Sequence, residues 1–217
     1  MKDVEVAMNR VRQIPGYKAY FDKAFGPDAM NVDNAAKAVA AYERTLITPN
    51  SAYDRYVKGD KKALNEQQVR GMNAFDSIGC TACHSGAAFN GPTLPQGAGF
   101  FMKFPTFADS DYVKKYAFTQ DLGRFDLTKD EVDKHMFKVP TLRNVALTAP
   151  YFHNGSVKQL DEAVKVMART QLNKDLSEQE VADVVAFLTA LTGEFPVQTI
   201  PQLPPTEGWT LEFTAEK

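Results

Sequence analysis

Apolar residues recur every three or four positions along most of the first eighty residues, the spacing of helices with one buried face. Asp33 is suited to cap a helix carrying Val32, Ala36, Val39, Ala40 and Ile47 that stops before Pro49. Tyr53, Tyr56 and Val57 predict a short helix stopped by Gly59. Residues 65–78 place Val69, Met72, Phe75 and Ile78 on one face, and Gly79 ends that run. The pattern returns over 158–168, where Leu160, Ala163, Val164 and Met167 share a face. Ser177 and Glu180 form a capping box for a last helix, whose stripe of Val181, Val184, Val185, Leu188 and Leu191 runs up to Gly193.

Between residues 85 and 130 the periodicity is lost, glycine and proline are frequent, and aromatics are dense from Phe100 to Phe125. A loop this long inside a compact domain is uncommon and usually functional. Either its aromatics pack over something large and flat, or it is an Ω-type loop with a small core of its own. The tail from Pro196 to Lys217 is proline-rich and is expected to wrap the surface. There is no internal repeat and little convincing strand, so the expected class is all-α.

Composition narrows the function. The 217 residues are 44% hydrophobic and 24% charged, ordinary values for a globular chain long enough to build a core. A net charge of −2 argues against nucleic acid or an anionic membrane surface as the main partner. No stretch approaches the roughly 18–20 apolar residues of a membrane span. Residues 1–30 show no basic region followed by an apolar one, so a signal peptide is not expected within them.

The two cysteines, Cys80 and Cys83, sit too close together for a disulfide framework. They belong to the run Cys-Thr-Ala-Cys-His, residues 80–84. This C-x-x-C-H spacing is the signature of c-type haem attachment. Two thiols on one turn can add to the two vinyl groups of a protohaem, and the adjacent His84 then offers its imidazole to the iron. A thioredoxin-like dithiol would follow a strand, whereas a helix precedes this pair. A zinc site would join Cys80 and Cys83 to His135 and His153, although the histidine spacing is unlike the usual one. For the sixth iron ligand, the residues leave Met102, Met136, Met167, His135 and His153 open. Methionine opposite histidine suits an electron carrier, and an open position suits peroxide or oxygen chemistry. His153 reads as a donor to the haem's surroundings or as a satisfied interior histidine, the latter preferred, and His135 as solvated. Arg124 and Arg143 suit either haem propionates or surface ion pairs. Lys61-Lys62 and Lys114-Lys115 read as solvated faces that could also steer a small redox partner.

The sequence resembles the carboxy-terminal part of bacterial di-haem cytochrome c peroxidases. The resemblance lies in AYERTLITPNSAYDRY (41–56), GCTACHSG (79–86), DLGRF (121–125), FKVPTLRNVALTAPYFHNGSV (137–157) and VADVVAFLTALTGEFP (181–196). It implies a cytochrome c-like haem domain with additional packed helices and a long aromatic-rich loop. It further implies one covalent haem c, the high-potential, electron-accepting haem of that family, ligated by His84 and Met167. A calcium ion would bind backbone carbonyls of Thr148 and Pro150, oxygen ligands of the kind that cation prefers. A small cytochrome c or cupredoxin would donate electrons, the setting would be periplasmic, and the family suggests a homodimer.

The family carries a second, amino-terminal haem with its own C-x-x-C-H, where peroxide is cleaved, and only one such motif is present here. The glutamine and glutamate of the family's peroxide pocket fall upstream of Met1. The chain is therefore expected to be a shortened form, a cleaved fragment or a misassigned reading frame. The expected division is a helical segment over 1–58 packing beside or between haem domains, a haem domain over 59–195 and a tail over 196–217. The expected function is passage of electrons towards reduction of hydrogen peroxide to water. The alternatives are a free-standing monohaem carrier, and a relative that oxidises residues on a partner protein, in which tyrosine tends to replace the methionine ligand.

Overall fold

The computed structural model describes residues 3–206 apart from Gln96. Their contacts divide them into two units: the residues up to Ile47 with those from Phe195 onward, and Thr48–Glu194.

The first unit contains α1 (Val4–Arg12), α2 (Pro15–Phe25) and α3 (Val32–Glu43). Asp3 caps α1, whose Met8 is buried, and Pro15 opens α2 at a position where a missing N–H costs nothing. The cap of α3 is Asn31, whose side chain accepts from the Asn34 N–H at 2.9 Å; Asp33, expected as the cap, lies in the first turn. Val39 and Ile47, read as part of an apolar face, are exposed. Periodicity marks the side of a helix that would be buried, not what buries it. The tail also joins this unit, with Pro204 buried close to Gly16. The remainder of the expected tail, residues 207–217, lies outside the described residues.

The second unit begins with α4 (Ala52–Val57) and α5 (Glu66–Ile78), followed by β1 (Phe101–Lys103), α6 (Asp111–Lys115), α7 (Phe125–Thr128), β2 (Met136–Lys138), α8 (Leu160–Leu172) and α9 (Glu178–Thr189). α4, α5 and α9 each start with a reciprocal capping box: Ser51 with Asp54, Asn65 with Gln68, and Ser177 with Glu180. The expected boundary at residue 58 would separate α4 from this unit. Here α4 belongs to it, because Tyr53 packs edge-on against Phe89 and Phe187 at 5.2 and 5.8 Å.

α5 crosses α9 very closely at Gly71. A Cβ there would lie 1.8 Å from the Asp183 carbonyl oxygen, so only glycine permits the contact. Asp183 is fixed by Arg70 at 3.1 Å and by Gln179 at 2.9 Å. Around this crossing Phe75, Ile78, Phe89, Val184, Phe187, Leu188 and Leu191 form one core, each large side chain contributing about 1.5–3 kcal/mol by leaving water.

The irregular stretch has a second core. Phe104, Val113 and Phe118 pack with Val157, Ala163 and Val166, which ties the loop to α8. β1 and β2 pair antiparallel, with Met102 opposite Phe137. The loop thus shares its core with α8 and Val157, where the Ω-type expectation gave it a small core of its own. Phe104, Met102 and Phe137 also turn towards the cavity described next.

Candidate functional site

The cysteine pair is launched by the end of α5. Gly79 sits in the left-handed region, φ +105°, which favours glycine, and a 3-10 turn over Cys80–Ala82 follows at once. The His84 N–H closes the next turn by donating to the Cys80 carbonyl at 2.9 Å. Lys174 donates to the last α5 carbonyl, Ile78, at 2.7 Å. Cys80, Cys83 and His84 are thereby carried to the wall of one cavity of about 470 Å³.

The opposite elements complete that wall. α8 contributes the stripe Leu160, Ala163, Val164, Met167, Ala168 and Leu172, the face its periodicity predicts and one more turn beyond. Asn173, in the left-handed region, ends α8. The lining is mostly apolar.

Within it burial disfavours the charged forms of Cys80, Cys83 and His84. Burial pushes the Cys80 thiol up to about 11 and the Cys83 thiol up as well, so neither is a thiolate at neutral pH. Burial pushes His84 down, opposed by its bond to Phe89. Its Nδ1 lies 2.9 Å from the Phe89 carbonyl, which can only accept, so Nδ1 carries the proton and Nε2 is free for a metal.

The Phe89 carbonyl is itself fixed from behind. Phe89 is buried in the core, and Arg143 donates to the Ala87 carbonyl at 2.9 and 2.8 Å, to Ser51 Oγ at 3.1 Å and to Asp54 at 2.8 Å. Burial pushes the Asp54 carboxyl up, but hydrogen bonds from Ser51 and Arg143 outweigh it and hold it below its usual range. Arg143 is thus a strap across the loop that orients His84, and it does not line the cavity. Arg143→Met is expected to destabilise the haem-loaded chain by about 2 kcal/mol in urea unfolding, because the half-buried Asp54 loses its partner. A change under about 0.5 kcal/mol, the size of an ordinary surface substitution, would refute the strap.

The other candidates are sorted by position. Arg124 pairs with Asp133 at 2.9 Å and lies over Phe101, the surface reading rather than the propionate one. Met102, Met167 and His153 line the cavity, whereas Met136 and His135 do not. His135 bonds the Asp121 carbonyl at 3.0 Å. Thr148 and Pro150 lie on the wall, and the Thr148 hydroxyl donates to the Val145 carbonyl at 3.2 Å. Among the described residues no three His, Cys, Asp or Glu side chains gather to hold a metal ion, so the zinc grouping of Cys80, Cys83, His135 and His153 does not form. His153 is not the satisfied interior histidine it was preferred to be: its buried Nε2 has no hydrogen-bond partner among the described residues.

This donor set fits a covalently tethered haem. The two thiols sit on one turn, a neutral imidazole presents a bare Nε2, the lining is apolar, and thioether-bearing Met167 stands on a facing helix. The Arg143 strap is what sequence reasoning missed. Ser51, Asp54, Ala87 and Arg143 are scattered along the chain, and no local signal joins them.

Comparison with known proteins agrees. The family model described as di-haem cytochrome c peroxidase matches residues 1–62. The chain is 42% identical over 206 residues to a cytochrome c551 peroxidase of Nitrosomonas europaea, covering 95% of this chain and 58% of that protein. It is 45% identical over 195 residues to the cytochrome c551 peroxidase of Pseudomonas aeruginosa, covering 88% and 53%. In structure it is similar to a MauG-like protein associated with microbial copper homeostasis, with TM-score 0.65 and 26% identity over 86% of this chain and 61% of that one. The chain spans about half the length of the curated relatives it matches.

Proposed function

This chain belongs to the di-haem cytochrome c peroxidase family, and on that premise we propose that it is the electron-transferring haem domain of such an enzyme. It receives electrons from a small cytochrome c or cupredoxin in the periplasm and passes them towards reduction of hydrogen peroxide to water at a second haem outside this chain. Cys80 and Cys83 would hold one haem c covalently and His84 and Met167 would ligate its iron; calcium on the carbonyls of Thr148 and Pro150 and a homodimer would complete the assembly.

The observation that carries it is an apolar cavity lined by both the C-x-x-C-H turn and the Met167 face of α8. When bound, a haem with histidine and methionine supplies a one-electron couple of raised potential. The chain's own residues do the rest. Cys80 and Cys83 tether, and the Phe89 carbonyl keeps the His84 proton on Nδ1. The apolar faces of α8 and α9 keep water from the cavity, which raises the cost of the charged ferric state.

The haem-loaded chain is expected to show six-coordinate, low-spin spectra, rapid reduction by a small donor protein and little peroxide turnover alone. A five-coordinate ferric spectrum with fast peroxide reaction would overturn the proposal.

A further inference from the structure

His153 is held by three aromatic rings. It lies nearly flat on Phe137, centroids 4.4 Å apart at 18°, and meets Phe104 and Phe118 at 5.8 and 5.9 Å. Its Nε2 is buried without a partner among the described residues, an unfavourable and uncommon condition. The ring also lines the cavity assigned to haem.

Of the other polar side chains on that wall, Thr141, Thr148 and Gln171 are already committed, whereas Lys138 and Tyr151 make no side-chain hydrogen bond among the described residues. Thr141 donates to the Ala88 carbonyl at 2.6 Å and Thr148 to the Val145 carbonyl. Gln171 donates to the Lys103 carbonyl at 2.9 Å and accepts from the Thr106 N–H at 2.8 Å. Arg124 and Arg143 are spent on Asp133 and Asp54. A haem is apolar except for its two propionates, which need donors wherever they are shielded from water.

Resting on the haem reading above, we infer that His153 donates a hydrogen bond from Nε2 to a propionate of the bound haem. It acts as a positioning residue that fixes the haem in the cavity and neutralises part of the carboxylate's field at the iron. Burial disfavours a charged His153 and a backbone hydrogen bond at Phe118 opposes that; Nε2 donates when the neutral ring carries its proton there or when the ring is an imidazolium. An anion beside that nitrogen favours both forms over the one with a bare Nε2. The aromatic cage keeps the ring from turning away.

The test is the haem midpoint potential, by spectroelectrochemical titration of the full haem-loaded chain and two variants. His153→Phe keeps a flat ring on Phe137 but has no nitrogen, whereas His153→Gln keeps a donor and loses the ring. Because Cys80 and Cys83 tether the haem, neither variant releases it. His153→Phe is expected to shift the ferrous-to-ferric ratio about tenfold towards ferric, a fall of about 59 mV for one electron, while His153→Gln stays near wild type. A purely packing role predicts the reverse order. His153→Phe at the wild-type potential, or His153→Gln falling as far as His153→Phe, would overturn the inference. A wild-type chain without covalent haem would instead overturn the reading on which it rests.

Discussion

Replacing Cys80 and Cys83 together by alanine is expected to abolish covalent haem completely, leaving a chain that shows no haem stain after denaturing electrophoresis. Each single replacement is expected to leave one thioether and an altered pyridine haemochrome spectrum. The 3-10 turn and its cap bring the two thiols to the cavity wall, beside His84. Without the tether, retention depends on axial ligation and apolar contact alone, and the α8 stripe then holds a haem that can dissociate. The thiols themselves have little other use as they stand. Burial keeps both protonated at neutral pH, with Cys80 pushed up to about 11, and a metal or redox role needs the thiolate. Haem still covalently bound in the double variant would sink the central assignment of this site.

Met167→Ala is expected to convert a low-spin, six-coordinate ferric spectrum into a high-spin one and to lower the midpoint potential sharply. A fall on the order of 0.1–0.3 V is reasonable within the roughly 0.8 V that axial ligands span. The thioether stabilises ferrous iron, and its loss opens a coordination position to water or peroxide. Met102 supplies the contrast, since it lines the same cavity from β1. Met102→Ala is expected to leave ligation unchanged. If instead Met102→Ala removes the methionine charge-transfer band and Met167→Ala retains it, the ligand is on the strand pair. Gain of peroxide turnover by Met167→Ala would show that an occupied sixth position is what makes this haem a relay.

Whatever depends on near neighbours is legible in the residues alone. The 3.6-residue period set out α5, α8 and α9, because a helix repeats its buried face within a few residues. The Ser177–Glu180 box and Gly79 fixed ends, since caps act within one turn. The C-x-x-C-H run points to the proposed attachment site for the same reason: its chemistry is contained in five consecutive residues. Met167 enters as the proposed ligand only through family resemblance; as a methionine in an apolar stripe it is indistinguishable from core filling.

Only the tertiary structure decided what depends on distant segments meeting. It placed Met102, Met167 and His153 on the cavity wall and left Met136 and His135 off it. It turned Arg143 from a propionate candidate into a strap, because Ser51, Asp54 and the Ala87 carbonyl converge on one guanidinium. It found a second core for the long loop, through Phe104 and Phe118 packing on Val157 and Val166. And among the described residues it gives the buried His153 Nε2 no hydrogen-bond partner, which no residue pattern encodes. Hydrogen-bond satisfaction is a property of three-dimensional neighbours, and sequence spacing specifies those only where the chain is locally regular.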